Sequence, residues 1–124
     1  RKRRSRRIKE ISVANYYDEK LNADKLFQVY DTSLVRVRQY LQAEIDFVRS
    51  RLNGTERVLE LGAGYGRIIR ELAPHCRSII GIDISQRNVD LGETYLSGID
   101  NAELLSMDVH QLAFDEPFDV IVCL

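Results

Sequence analysis

The spacing of apolar positions changes character once along the chain, near Gly54. Before that point they recur every three or four residues, and Leu34, Val37, Leu41, Ile45 and Val48 share one face of a helix predicted over Ser33 to Arg51. A shorter helix is predicted over Asp24 to Tyr30. Ser33 is the expected N-cap of the longer helix, and Leu52-Asn53-Gly54 its stop, because glycine tolerates the left-handed backbone just past a helix end.

Beyond Gly54, short apolar runs alternate with amphipathic segments, the pattern of βα units that build a parallel sheet. Strands are predicted over Arg57 to Leu61, Ser78 to Asp83, Glu103 to Ser106 and Phe118 to Val122. Helices are predicted from Gly66 to about Pro74 and from Gln86 to Leu96, the second capped by Ser85, with a brief turn at His110 to Leu112. The expected fold is α/β, a doubly wound parallel sheet in three layers with helices at its N-terminal side. Residues 1–54 read as a basic arm with cap helices, and residues 55–124 as the core.

The fourth strand ends two residues before Leu124, whereas a parallel sheet needs cover on both faces and an open edge invites pairing. The expectation is that the chain is part of a longer one whose remainder completes the sheet. The alternative is a partner chain over the open edge, which makes a homo-oligomer possible.

Composition narrows the class. The 124 residues are 44 % hydrophobic and 30 % charged with only two prolines, which excludes fibrous and low-complexity chains. Cys76 and Cys123 lie far apart, and with only two histidines the chain has no metal-ligand spacing, so no metal is expected. Cys76 reads as a small buried residue and Cys123 as the interior of a strand. No apolar run is long enough for a signal peptide or a membrane span, and the expected setting is cytoplasmic, away from membranes.

The net charge of −1 conceals a segregation. Residues 1–9 carry seven basic and no acidic side chains, and the remainder carries eleven basic against nineteen acidic. Such an arm could attract nucleic acid, yet no aromatic residues interleave its arginines and the body is acidic. Nucleic-acid binding is therefore not favoured, and the other readings are a solvated extension or an arm lying against acidic surface of its own or a neighbouring subunit.

Candidate chemistry is concentrated in Glu60-Leu61-Gly62-Ala63-Gly64-Tyr65-Gly66. Three glycines between a strand and a helix let the backbone turn sharply and approach a ligand closely. The third glycine falls two residues after the second, whereas the dinucleotide fingerprint places it three after. Glu60 would repel a pyrophosphate but would accept a hydrogen bond from a ligand ammonium. Asp83, at the end of the second strand, can accept from both hydroxyls of a ribose, or serve as a helix cap. Its replacement is expected to weaken a bound nucleoside with little effect on folding. Asp108, past the third strand, can accept from an adenine amine while the Val109 amide donates to the ring, or can be a surface-turn residue.

With these residues in place, the chain resembles the class I S-adenosylmethionine-dependent methyltransferases. VLELGAGYG at 58–66 is similar to their glycine-rich first motif, GIDIS at 81–85 to the acidic end of their second strand, and MDVHQLAF with DEPFDVIVCL at 107–124 to their adenine-binding turn and fourth strand. The resemblance implies a Rossmann-like core and S-adenosylmethionine as cofactor. It further implies that Glu60, Gly62, Ala63 and Gly64 hold the methionine moiety, Asp83 the ribose, Ile84 one adenine face, and Asp108 with Val109 the adenine's polar edge.

The Asn/Asp-Pro-Pro-aromatic motif that the family's nucleobase-amine enzymes carry does not begin at Cys123-Leu124, which lowers the nucleobase-amine reading and leaves other nucleic-acid methylation open. The acceptor is unidentified, with a small molecule the expectation. Tyr16, Tyr17 and Tyr30 are placed to close the pocket or orient an acceptor, or to pack a cap helix. His110 is a possible base or an incidental turn residue, and no catalytic residue is assigned. A non-catalytic nucleoside-binding subunit and a nicotinamide-dependent oxidoreductase remain the alternatives.

Overall fold

The computed structural model describes residues 23–31 and 34–124. The basic arm, Tyr16, Tyr17 and Ser33 lie outside the described residues. Two helices come first, α1 (Ala23–Asp31) and α2 (Val35–Arg49). Leu34 occupies the N-cap of α2 and makes no side-chain cap bond, which corrects the assignment of that role to Ser33. The alternating half follows as β1 (Arg57–Leu61), α3 (Arg67–Leu72), β2 (Ser78–Asp83), α4 (Gln86–Tyr95), β3 (Ala102–Ser106) and β4 (Val120–Val122). The helix read as running to Pro74 ends at Leu72, and Pro74 sits inside a separate 3₁₀ turn over Ala73–His75.

The four strands are all parallel in the order β3-β2-β1-β4. The chain therefore winds outward from β1 in both directions, and the β1–β4 boundary is the switch point at whose carboxyl side doubly wound sheets form a crevice. Register places Val58, Ile79 and Val120 on one face, continued by Leu104 and Val122. Ile45 and Val48 of α2, Ile68, Ile69 and Leu72 around α3, and Val89 of α4 join the same buried cluster. The alternate face is less evenly covered: Leu59 and Ile82 are buried, but Ile121 is 62 % exposed.

β4 is two residues shorter than the apolar run suggests. The Asp119 carboxylate, rather than a strand carbonyl, accepts from the Arg57 backbone N–H at 2.7 Å, while Asp119 N donates to Arg57 O at 2.8 Å. Side-chain capture of that donor ends the ladder, and the Phe118 ring lies under the Arg57 guanidinium, 4.0 Å from its centroid. Cys123 falls past the end of β4 and is exposed, a correction to its reading as strand interior, whereas Cys76 is buried and burial pushes its thiol pKa up.

Candidate functional site

The turn after β1 is shaped by glycine. Gly62, Gly64 and Gly66 all have positive φ, and Gly66 at +92° is the N-cap of α3. A side chain at Gly64 would also meet Leu26 of α1 at 3.1 Å, so α1 lies close over the turn.

Backbone donors of this turn are already used. Ala63 N donates to Ile82 O at 2.9 Å, Gly66 N to Ala63 O at 2.9 Å, and Gly64 N to Asp83 Oδ2 at 2.8 Å. An anion cradle needs free amides pointing at the ligand. Three of the amides that would cradle a pyrophosphate here face the protein instead.

Asp83 is the hub of this arrangement. Its Oδ1 accepts from Ser85 N at 2.9 Å and from the Asn88 side-chain amide at 3.1 Å, while Oδ2 holds Gly64. Ser85 caps α4 as expected, accepting from Asn88 N at 3.4 Å. A carboxylate offers about four acceptor positions, and three are taken, so room remains for one ribose hydroxyl rather than two. The same three bonds tie Asp83 to the glycine turn and to the start of α4, a structural role beside any ligand contact.

Two cavities flank Gly62. The larger, about 390 Å³, is lined by Gly62, Ile82, Asp83, Ile84, Met107, Asp108, Val109 and His110 at the carboxyl ends of β2 and β3. The sequence-predicted Asp83, Ile84, Asp108 and Val109 thus share one wall system. Asp108 also caps the 3₁₀ turn over Val109–Gln111, its Oδ1 accepting from His110 N at 2.9 Å and lying 3.2 Å from His110 Nδ1. The two readings of Asp108, turn residue and pocket residue, hold together.

The smaller cavity, about 40 Å³, is lined by Glu60, Gly62, Ala63, Gly64, Tyr65, Arg67, Ile68 and Leu124, with Leu26 and Tyr30 contributed by α1. Glu60 is only 1 % exposed, and its Oε2 has no hydrogen-bond partner. Burial pushes its pKa up to about 8, partly opposed by the Arg67 guanidinium and reinforced by the Asp83 charge. The carboxyl is therefore largely protonated at neutral pH. Among the described residues no cluster of His, Cys, Asp and Glu could hold a metal ion, and no helix is long and apolar enough to cross a membrane.

Sequence reasoning missed Leu26, Tyr65, Arg67, Met107 and Asn88. Tyr65 stacks edge-on with Tyr95 at 5.0 Å and lies 5.4 Å from Phe27, and Arg67 stacks 4.5 Å over the Tyr30 ring. Their aromatic and cationic character was a signal, but the partners come from α1 and α4, and only the folded chain brings them together.

A protein-family model described as a methyltransferase domain matches residues 58–124, more than half the chain. The uncharacterized methyltransferase YcgJ of Bacillus subtilis is 30 % identical over 70 residues, covering 54 % of this chain and 28 % of that protein. Its crystal structure superposes with a TM-score of 0.62 at 24 % identity, over 66 % of this chain and 37 % of that one. The ribosomal RNA small subunit methyltransferase A of Staphylococcus carnosus is 30 % identical over 60 residues, 48 % of this chain and 20 % of that protein. The magnesium protoporphyrin IX methyltransferase of Synechocystis PCC 6803, solved with bound S-adenosylmethionine, superposes with a TM-score of 0.71 at 22 % identity, over 90 % of this chain and 59 % of that one. The chain thus spans less than a third of the curated relatives it matches. With a glycine turn that turns its amides inward, a switch-point crevice and a family match over the whole alternating half, the chain belongs to the methyltransferase domain family and has the Rossmann-like fold of the class I S-adenosylmethionine-dependent methyltransferases.

Proposed function

We propose that the protein is an S-adenosylmethionine-dependent methyltransferase whose cofactor spans the two cavities across Gly62. One observation carries the reading: a buried carboxyl, Glu60, with an orphaned oxygen in the wall of the smaller cavity. A buried acceptor without a partner is costly, and an ammonium at that place would satisfy it and draw the carboxyl into its charged form. The methionine end of the cofactor carries such an ammonium, and the larger cavity then takes the nucleoside. Ile84, Met107 and Val109 offer apolar surface to a base, Asp108 an acceptor to its amine, and Asp83 its remaining acceptor position to one ribose hydroxyl.

The cofactor supplies an electrophilic sulfonium methyl ready for in-line attack. The chain's contribution is to hold and orient: Glu60 and Asp108 engage the two ends, and the glycine turn excludes side chains from the path between them. A dinucleotide is disfavoured by the committed amides of Ala63, Gly64 and Gly66. Helices α1 and α2 act as the cap and residues 55–124 as the cofactor-binding core, a division supported by Leu26 and Tyr30 lining the cavity at the glycine turn. That closure supports a small-molecule acceptor. Two free cysteines support a reducing, cytoplasmic setting.

Calorimetric titration of the full-length protein with S-adenosylhomocysteine and with reduced nicotinamide cofactor tests the reading. Binding of the first alone is expected. Binding of the dinucleotide in its place would overturn it.

A further inference from the structure

A third cavity, about 210 Å³, opens between α1, α2 and α3 and is separated from the smaller cofactor cavity by Tyr30 and Arg67, which line both. Its remaining walls include Leu41 and Ile45, apolar residues of α2, with Arg38 of α2 and Glu71 of α3 also lining it. Gln42 also lines it, but its amide is donated to Asp46 at 3.1 Å. Two guanidinium groups therefore face one carboxylate. Neither Arg38 nor Arg67 has a hydrogen-bonded or ion-paired carboxylate among the described residues; Arg67 is held by stacking on the Tyr30 ring at 4.5 Å.

Resting on the methyltransferase reading, we propose that this cavity is the acceptor subsite and takes a small organic anion: an aromatic or aliphatic body bearing one carboxylate. Leu41, Ile45 and the Tyr30 ring contact the body, and Arg38 engages the carboxylate, a planar partner that a guanidinium can bind through two parallel hydrogen bonds. Glu71 offsets one of the two positive charges, which favours a monoanion over a more highly charged group. Tyr30 and Arg67 divide the cavity from the site proposed for the methionine end, so methyl transfer to an acceptor bound here requires these two side chains to part. The carboxylate of the cofactor is the other source of the same chemistry, and the test separates the two.

The full-length protein, with and without saturating S-adenosylhomocysteine, is titrated with benzoate, 4-hydroxybenzoate and hexanoate, each against its neutral amide, by ligand-observed NMR. At least one carboxylate is expected to bind tenfold or more tighter than its amide. That preference should be lost in Arg38→Gln and only partly recovered in Arg38→Lys, whose ammonium keeps the charge but not the two parallel hydrogen bonds, with the Kd of S-adenosylhomocysteine within twofold of wild type in both variants. Equal or absent binding of carboxylates and amides overturns the proposal. So does an Arg38→Gln variant that weakens S-adenosylhomocysteine but leaves 5′-methylthioadenosine, which lacks the carboxylate, unchanged, because Arg38 would then serve the cofactor. Failure of the wild-type protein to bind S-adenosylhomocysteine at all counts against the functional reading, and the titrations without it still report on the anion site.

Discussion

The two cavities flanking Gly62 make opposite use of their carboxylates. On the β3 side, Asp83 and Asp108 border a space of about 390 Å³, and both already accept hydrogen bonds from the chain. On the β4 side, Glu60 is buried beside a space of about 40 Å³, with one oxygen unpartnered and a pKa near 8. The first is a preformed surface whose acids are structural as well as receptive. The second holds an unfavourable arrangement that a cationic ligand would relieve. On the cofactor reading proposed above, recognition on the large side would rest on shape and apolar contact, and on the small side on charge.

Removing the charge on the small side should have the largest effect. Loss of one member of a buried ion pair costs about 3–5 kcal/mol, so Glu60→Gln should weaken S-adenosylhomocysteine on the order of a hundredfold or more by calorimetry. 5′-Methylthioadenosine, which has no ammonium, should lose little. The unliganded variant should also be more stable at pH 8. In the wild type the raised pKa means that folded protein holds a proton that unfolded chain releases. This group's contribution to stability is therefore full below about pH 4.5 and lost as pH rises towards about 8. Glu60→Gln should flatten that part of the dependence of Tm on pH, and an unchanged slope would sever Glu60 from it.

Next in size is Asp83→Ala, which strands the donors of Gly64, Ser85 and Asn88. With about 1–3 kcal/mol for each buried group left unpaired, discounted for partial exposure and relaxation, a stability loss of about 2–4 kcal/mol is expected in urea unfolding. Asp83→Asn keeps an acceptor oxygen and should recover part of it. Equal stability of Asp83→Ala and wild type would mean the hub is not holding the turn.

Asp108→Ala should cost less, about 1–1.5 kcal/mol or roughly five- to tenfold in affinity, equally for S-adenosylhomocysteine and 5′-methylthioadenosine because both carry the adenine. A loss confined to one of them would dissociate Asp108 from the base. His110→Ala, at an exposed ring, should change neither affinity nor unfolding free energy beyond about twofold and about 0.5 kcal/mol respectively.

Much of this asymmetry was legible in the sequence, and its limits have physical causes. β1 and β2 were readable to the residue because their apolar runs are bounded by glycine and acidic turns, and Ser85 was readable as a cap because that signal is local. Asp83 was placed correctly at the strand end, but its bond to Gly64, nineteen positions away, exists only once β1 and β2 are paired. β4 was overread because Asp119 looks like a strand residue until its side chain is seen to replace the ladder bond of Arg57. The cover provided by α1 was the least legible. Leu26, Phe27 and Tyr30 give a short helical stripe whose partners, Gly64, Tyr65 and Arg67, lie far along the chain.

The pairing of Glu60 with a ligand ammonium is open to one direct measurement: calorimetric titration of the full-length protein with S-adenosylhomocysteine at pH 7, in two buffers of different ionisation enthalpy, repeated from pH 6 to pH 8. Glu60 is protonated below about pH 8 in the free protein and must be ionised beside an ammonium. Binding should therefore release close to one proton at pH 7 and tighten by up to about tenfold for each unit that pH rises towards about 8. Binding with no proton exchange and a flat pH dependence, or no binding at all, would contradict it.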